Sequence, residues 1–254
     1  MTTLDLAWGK EKIQVSLPDA WKVIGQMQPA LVEAAADAVE EVQRSLAEPV
    51  GMPRLAELAA PGMRVVVVMD DVSRPTPVAK IFPVVLAELA RAGVTLEQIT
   101  VVPALGLHRG MNVEEISGRL GRSLDGLRWE NPDCDDPQKL ANLGITSRGS
   151  PVVVNKTVAE ADLIISIGCI EPHIIASFGG GYKNLFPGVA GRAMIANNHS
   201  LNCTPETFNM VGQPVEKNPM RLDLEEAGSM LKGKVFIINA VLNSALQVVR
   251  VVAG

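Results

Sequence analysis

The chain holds only three histidines, His108, His173 and His199, each in a stretch marked by Gly, Pro or Asn that reads as a loop or an element end. Histidine is the side chain whose ordinary pKa suits proton transfer near neutral pH. His108 lies in Gly106-Leu107-His108-Arg109-Gly110 and His173 in Glu171-Pro172-His173, each just beyond a run that reads as a strand. Two histidines at neighbouring strand ends could flank one cleft, although a solvent-exposed loop histidine has the same local signature as His108. His199 follows Asn197-Asn198 at the end of a helical pattern. There it either interacts with the negative end of the helix or acts as a lone metal ligand whose companion donors come from elsewhere.

Two further stretches carry groups suited to anions. Asp70-Asp71-Val72-Ser73-Arg74-Pro75-Thr76-Pro77 follows a strand and precedes a helix. Capping and turn preferences account for Asp71, Ser73 and Pro77. They do not account for Arg74, since a cation in a first helical turn opposes the helix dipole. An arginine held there can meet an anion through a bidentate pair of hydrogen bonds. Phe178-Gly179-Gly180-Gly181-Tyr182-Lys183 combines three glycines with a lysine shortly before a helix. Glycines allow close backbone approach to a phosphate, and a helix start attracts anions. The spacing is not that of a Walker A loop, because GxxxxGK[ST] is absent. Lys183 could pair with phosphate, form a covalent bond or remain solvated.

These groups need strands and helices to position them. Arg64–Met69 is a β-branched run that reads as a buried parallel strand, and Pro77–Ala92 as a helix stopped by Gly93. Gln98–Leu105 reads as the next strand. Asn112 caps a helix over Val113–Leu120, with Glu115 completing a capping box. Asp125–Asn142 is turn-rich. Pro151–Asn155 and Asp162–Gly168 read as strands joined by a short helix, Val189–Asn197 and Pro219–Leu231 as helices, and Val235–Val241 and Leu246–Val252 as strands. Nearer the N-terminus, Leu4–Leu17 reads as a hairpin turning at Gly9-Lys10, Pro29–Leu46 as a helix and Pro53–Ala60 as a short helix. Alternation of strands and helices predicts an α/β fold, a mostly parallel sheet flanked by helices. Ligands of such sheets bind beyond the carboxyl ends of the strands.

Composition narrows the function classes. The 254 residues carry 23 Lys and Arg against 28 Asp and Glu, a net charge of −5. A mildly acidic chain without a Lys/Arg run argues against nucleic acid as the main partner. Apolar runs such as Val65–Met69 are too short to span a membrane. No signal core is present near Met1, and Cys134, Cys169 and Cys203 form no CxxC pair, so free thiols in a reducing cytoplasm are expected.

Taken in order, the stretches form a joint pattern. It runs Asp70-Asp71-Val72-Ser73-Arg74-Pro75, then His108-Arg109-Gly110-Met111-Asn112-Val113-Glu114-Glu115, then Glu171-Pro172-His173 through Lys183. Pro187-Gly188-Val189-Ala190-Gly191, Asn197-Asn198-His199 and Asn218-Pro219-Met220-Arg221 complete it. This pattern resembles the nickel-pincer-nucleotide-dependent lactate racemase family over more than half of the chain. Ser73 stands where Thr is usual, and Gly179 and Tyr182 stand where the lactate enzymes look more like Ser and Arg.

The resemblance implies a racemase or epimerase of a small-molecule 2-hydroxy acid, lactate or a related one. It implies nickel held in a pyridinium-3,5-dithiocarboxylate-type pincer mononucleotide attached to Lys183, supplied by cofactor-assembly enzymes. His108 and His173 would be the acid/bases and His199 the metal ligand. Arg74 would hold the substrate, and Asp71, Arg74, Gly179, Gly180, Gly181 and Lys183 would surround the cofactor. Family members have a further C-terminal domain, so residues 1–254 would be the N-terminal, cofactor-binding part of a longer protein. Two other readings use the same residues: a phosphate- or nucleotide-binding domain without catalysis, and a metal-dependent hydrolase, for which a motif such as HExxH is missing.

Overall fold

Val65 to Asp70 fold as a strand because the side chains from Val65 to Met69 all find apolar cover, as expected for a parallel strand with helices on both faces. Val65, Val67 and Met69 pack into one core layer, while Val66 and Val68 pack into another. The computed structural model describes residues 2–8, 11–25, 27 and 30–254. It divides into two units, residues 1–31 and 32–254.

In the first unit, β1 (Thr3–Trp8) pairs antiparallel with β2 (Glu11–Ser16), with Leu6 opposite Ile13. This is the expected hairpin; its turn, Gly9-Lys10, lies outside the described residues.

The second unit begins with α1 (Ala38–Ala47) and α2 (Leu55–Leu58), followed by β3 (Val65–Asp70), α3 (Val78–Arg91), β4 (Ile99–Ala104), α4 (Val113–Leu120) and β5 (Arg128–Trp129). Next come β6 (Leu140–Ile145), β7 (Pro151–Asn155), α5 (Lys156–Ala159), β8 (Leu163–Ile170), β9 (Pro172–His173) and β10 (Ser177–Phe178). The chain continues through α6 (Arg192–Ser200), α7 (Pro219–Ser229), β11 (Lys234–Leu242) and β12 (Val248–Ala253). Six of the described strands form the central sheet in the order β12-β11-β8-β3-β4-β5. All neighbours are parallel except the β11–β12 edge pair. The chain steps from β3 to β4 on one side, and β8 returns on the other. This reversal opens a crevice at the carboxyl ends of these strands.

Helices α1, α3 and α4 contribute Val42, Leu46, Ile81, Phe82, Val85, Leu89, Ile116 and Leu120 to the layer on one face. The opposite layer receives Met194 and Ile195 of α6, Leu224 and Ala227 of α7, and Leu185 and Phe186. Among the described residues, no helix is long and apolar enough to cross a membrane.

Several local readings are corrected. The helix expected over Pro29–Leu46 starts at Ala38, where the Asp37 carboxylate accepts from the amides of Val39 and Glu40. Leu31 and Val32 are exposed, so their spacing had no core to face; Pro29 lies outside the described residues. Pro151–Asn155 is a strand but not part of the parallel sheet. It pairs antiparallel with β6, which was hidden in and just beyond the turn-rich stretch. The helix expected at Val189–Asn197 runs from Arg192 to Ser200, because Val189 and Ala190 are buried ahead of it. His199 therefore sits inside the last turn. Leu246 lies in a turn with φ +59°, ahead of β12.

Candidate active site

Beyond the carboxyl ends of β3, β4 and β8 lies a cavity of about 560 Å³. Asp70, Asp71 and Arg74 line it from the β3 end, Gly106 and His108 from the β4 end, and His173 from just past β8. Lys183 and Asn184 enter from the turn after the glycines, and Arg192, Ile195 and His199 from α6. His108, His173, His199, Arg74, Asp71 and Lys183, scattered over more than a hundred residues of sequence, thus share one cavity. Gly179, Gly180 and Gly181 are not among its lining residues.

The glycines instead satisfy packing behind Lys183. Gly180 has φ +70°, and a Cβ there would come within 3.0 Å of the Cys169 carbonyl and collide with the Asn239 side chain. The Gly181 amide donates to Asn239 Oδ1 at 3.1 Å, and Asn184 Nδ2 donates to the Ile167 carbonyl at 2.9 Å. The lysine turn is thereby fixed against β8 and β11.

Among the described residues, none hydrogen-bonds the Lys183 ammonium. Burial pulls its pKa down to about 8, aided by the Arg74 and Arg221 cations and opposed by Asp70 and Glu171. Burial pushes the Asp70 carboxyl up, outweighing the hydrogen bond from Thr76 and the nearby cations. Burial also pulls His173 down, to about 4, with Lys183 and Arg74 adding to it.

Each histidine has a defined ring partner. His108 Nδ1 lies 2.7 Å from Asp71 Oδ2, and the same carboxylate accepts from the Ser73 amide and hydroxyl at 3.1 and 2.5 Å. Burial opposes the charge on Asp71, but the bonds from Ser73 and His108 win and hold its pKa below the usual range. His199 Nδ1 donates to the Ile195 carbonyl at 2.8 Å, which leaves the Nε2 lone pair free. His173 Nδ1 accepts from the Ala176 amide at 3.1 Å.

Arg74 lies ahead of α3 rather than in its first turn, and meets Glu171 Oε1 at 2.6 Å. Its backbone carbonyl is held by Arg119 at 2.8 Å. The charge opposite Arg74 in this chain is thus Glu171 of the Glu-Pro-His stretch. Sequence reasoning gave that residue no role, although its place two residues before His173 was the signal.

Arg221, the last residue of the Asn218-Pro219-Met220-Arg221 stretch, is almost wholly buried, 1% exposed. It donates to the carbonyls of Ala176, Phe178, Gly179 and Gly180 and stacks over the Phe178 ring. It therefore ties the loop between His173 and Lys183 to α7. The end of α6 is tied similarly: Asn198 Nδ2 donates to the Met220 carbonyl and to Asp223, which also accepts from Thr146 and Ser150. Among the described residues, no three His, Cys, Asp or Glu side chains converge as a metal-ligand set.

Residues 8–209 match the family model described as the lactate racemase N-terminal domain. The lactate racemase of Thermoanaerobacterium thermosaccharolyticum is 29% identical over 257 aligned positions, and that of Lactiplantibacillus plantarum 31% over 258. Both alignments cover 100% of this chain but only 59% and 60% of those proteins, so the chain spans somewhat over half their length. The structure of the T. thermosaccharolyticum lactate racemase apoprotein superposes with a TM-score of 0.80 at 28% identity, over 100% of this chain and 59% of that one. A Thermotoga maritima protein of known crystal structure shares the fold, with a TM-score of 0.69 at 23% identity over 85% of this chain and 54% of its own. The chain belongs to the family of the lactate racemase N-terminal domain.

Proposed function

We propose that this chain is the cofactor-carrying part of a cytoplasmic racemase or epimerase of a 2-hydroxy acid, lactate or a related acid. The observation that carries the reading is the convergence of His108, His173, Lys183, His199 and Arg74 on one cavity.

The residues present fit a nickel pincer mononucleotide. Lys183 offers an amine without a hydrogen-bond partner among the described residues, and its lowered pKa favours the neutral, nucleophilic form needed for covalent attachment. His199 offers a single Nε2 lone pair, its tautomer fixed through Nδ1, as expected for one protein ligand to nickel. The remaining donors would be the group's own, consistent with the absence of a ligand cluster among the described side chains. When bound, the group supplies hydride acceptance and return.

The chain's residues would do the rest. Removing the carbon-bound hydrogen of a 2-hydroxy acid as a proton is difficult, because the adjacent carboxylate resists a second negative charge. Departure as hydride avoids that, provided a base takes the hydroxyl proton. Arg74 spends one nitrogen on Glu171, and its other N–H groups can fork onto the substrate carboxylate. His108 and His173 would serve the two positions of the hydroxyl oxygen, one for each enantiomer, as the planar 2-keto acid turns between them.

The test is intact-mass and metal analysis of the protein produced together with cofactor-assembly enzymes. An adduct mapping to Lys183, nickel, and racemisation of a 2-hydroxy acid are expected. Zinc without an adduct would favour a hydrolase, and a nucleotide bound without a covalent link would favour a binding domain; either would overturn the reading.

A further inference from the structure

The two cavity histidines are held in opposite ways. His108 Nδ1 faces the Asp71 carboxylate at 2.7 Å. An ionised carboxylate only accepts hydrogen bonds, so Nδ1 carries the proton and the Nε2 lone pair is free. His173 Nδ1 faces the Ala176 amide at 3.1 Å. A backbone N–H only donates, so Nδ1 holds the lone pair and the neutral ring carries its proton on Nε2.

The Ala176 amide is not free to turn away. It belongs to the same planar peptide unit as the Ile175 carbonyl. That carbonyl accepts from Asn202 Nδ2 at 2.6 Å and from Asn218 Nδ2 at 3.0 Å. Both asparagines are fully buried, and Asn202 Nδ2 also donates to Asn218 Oδ1 at 2.8 Å. One residue on, the Ala176 carbonyl accepts from Arg221 Nε at 3.0 Å. The Asn218–Arg221 stretch, together with Asn202, therefore aims the amide at His173.

We infer that His108 rests as a ready proton acceptor and His173 as an Nε2–H donor, so that the enantiomer whose hydroxyl faces His108 meets a base that needs no rearrangement, whereas the other enantiomer meets a ring that must first move its own proton. When that proton moves to His108 Nε2, the resulting imidazolium keeps its Nδ1–H on Asp71 and nothing need rearrange. For His173 to accept a proton at Nε2, its own proton must first shift to Nδ1. For it to give up its Nε2 proton without becoming an anion, Nδ1 must likewise be protonated. Both routes break the Ala176 contact. His173 is thus gated by the pinned 175–176 peptide, and Asn202, Asn218 and Arg221 are positioning residues for it. Its lowered pKa agrees with a neutral resting ring. The catalytic meaning of this inequality rests on the racemase reading; the proton positions do not.

With only three histidines in the chain, long-range proton–nitrogen correlation spectra of the 254-residue chain without cofactor test the inference directly. Single His→Gln variants assign the signals. In the neutral limit, His108 should show a protonated, pyrrole-like Nδ1 and a pyridine-like Nε2, and His173 the reverse. Asp71→Asn should move the His108 proton to Nε2, in part or whole, and leave His173 unchanged. A His173 protonated on Nδ1, or a wild-type His108 protonated on Nε2, overturns the inference whatever the variant does. Because the spectra need neither cofactor nor turnover, a failed racemase assay would leave this result standing, and a failed tautomer assignment would leave the Lys183 adduct test untouched.

Discussion

Replacing Lys183 by Met should make the folded chain more stable at neutral pH. Lys183 is held in a mostly buried turn without a hydrogen-bond partner among the described residues, and its folded pKa falls to about 8 through burial and the Arg74 and Arg221 cations. An unfolded lysine titrates near 10.4. Below about pH 8 both states carry the proton, and the folded state bears the full cost of holding an ammonium ion in the cavity wall. At about 1.4 kcal/mol per pH unit between the two pKa values, that cost is on the order of 3 kcal/mol at most. Between about pH 8 and 10.4 the unfolded state binds more protons than the folded one, so stability of the natural chain rises with pH. Above that window the lysine is neutral in both states and the cost is gone. Methionine keeps an unbranched, flexible apolar stem and removes the charge.

Urea denaturation of the natural chain and Lys183→Met, at about pH 7 and again near pH 10.5, measures the difference. The variant should gain roughly 2–3 kcal/mol at the lower pH and little at the higher. Equal stability at pH 7, or a gain that persists unchanged at high pH, would refute the assignment of a depressed, unpaired lysine. The gain should accompany complete loss of the covalent adduct, since stability surrendered at a site is commonly the counterpart of its activity.

Other changes test other parts of the site. Arg221→Met should destabilise the fold by roughly 3–5 kcal/mol, because buried carbonyls lose their donor. Arg221→Lys should recover only part of that, lacking the planar fork; denaturant midpoints decide. Gly188→Ala should lower the melting temperature sharply, because the new methyl group would lie 2.7 Å from the Asn184 carbonyl carbon and 2.8 Å from Ala104 Cβ; a midpoint unchanged within error would show that the close approach is absent. In cofactor-loaded enzyme, His108→Ala and His173→Ala should each cut racemisation in both directions by on the order of a hundredfold or more while retaining adduct and nickel. Undiminished turnover in either would exclude the two-histidine scheme.

The legibility of this chain in its sequence followed physical locality. The β-branched run at Val65 and the Asn112–Glu115 capping box are decided within a few residues, and both formed where expected. Pro151–Asn155 was recognisable as a strand, but its partner β6 was not, because β6 is short, half-exposed and interrupted by Gly144. The spacing of Leu31, Ala34 and Ala35 within the helix expected over Pro29–Leu46 misled because periodicity alone does not say whether a core exists to receive it. For the site, the residue types and their places after strands indicated a shared cleft, since a parallel sheet brings its carboxyl ends together whatever the sequence separation. What remained hidden was pairing: Glu171 with Arg74, Asp71 with His108, and Arg221 with the carbonyls of the glycine loop. These contacts depend on side chains from different strands and helices meeting at about 3 Å, a distance that hydrogen bonding demands and sequence spacing does not encode. Yet they decide how each histidine holds its proton. Residue type marks His108 and His173 as alike; only Asp71 on one side and the Ala176 amide on the other set them apart.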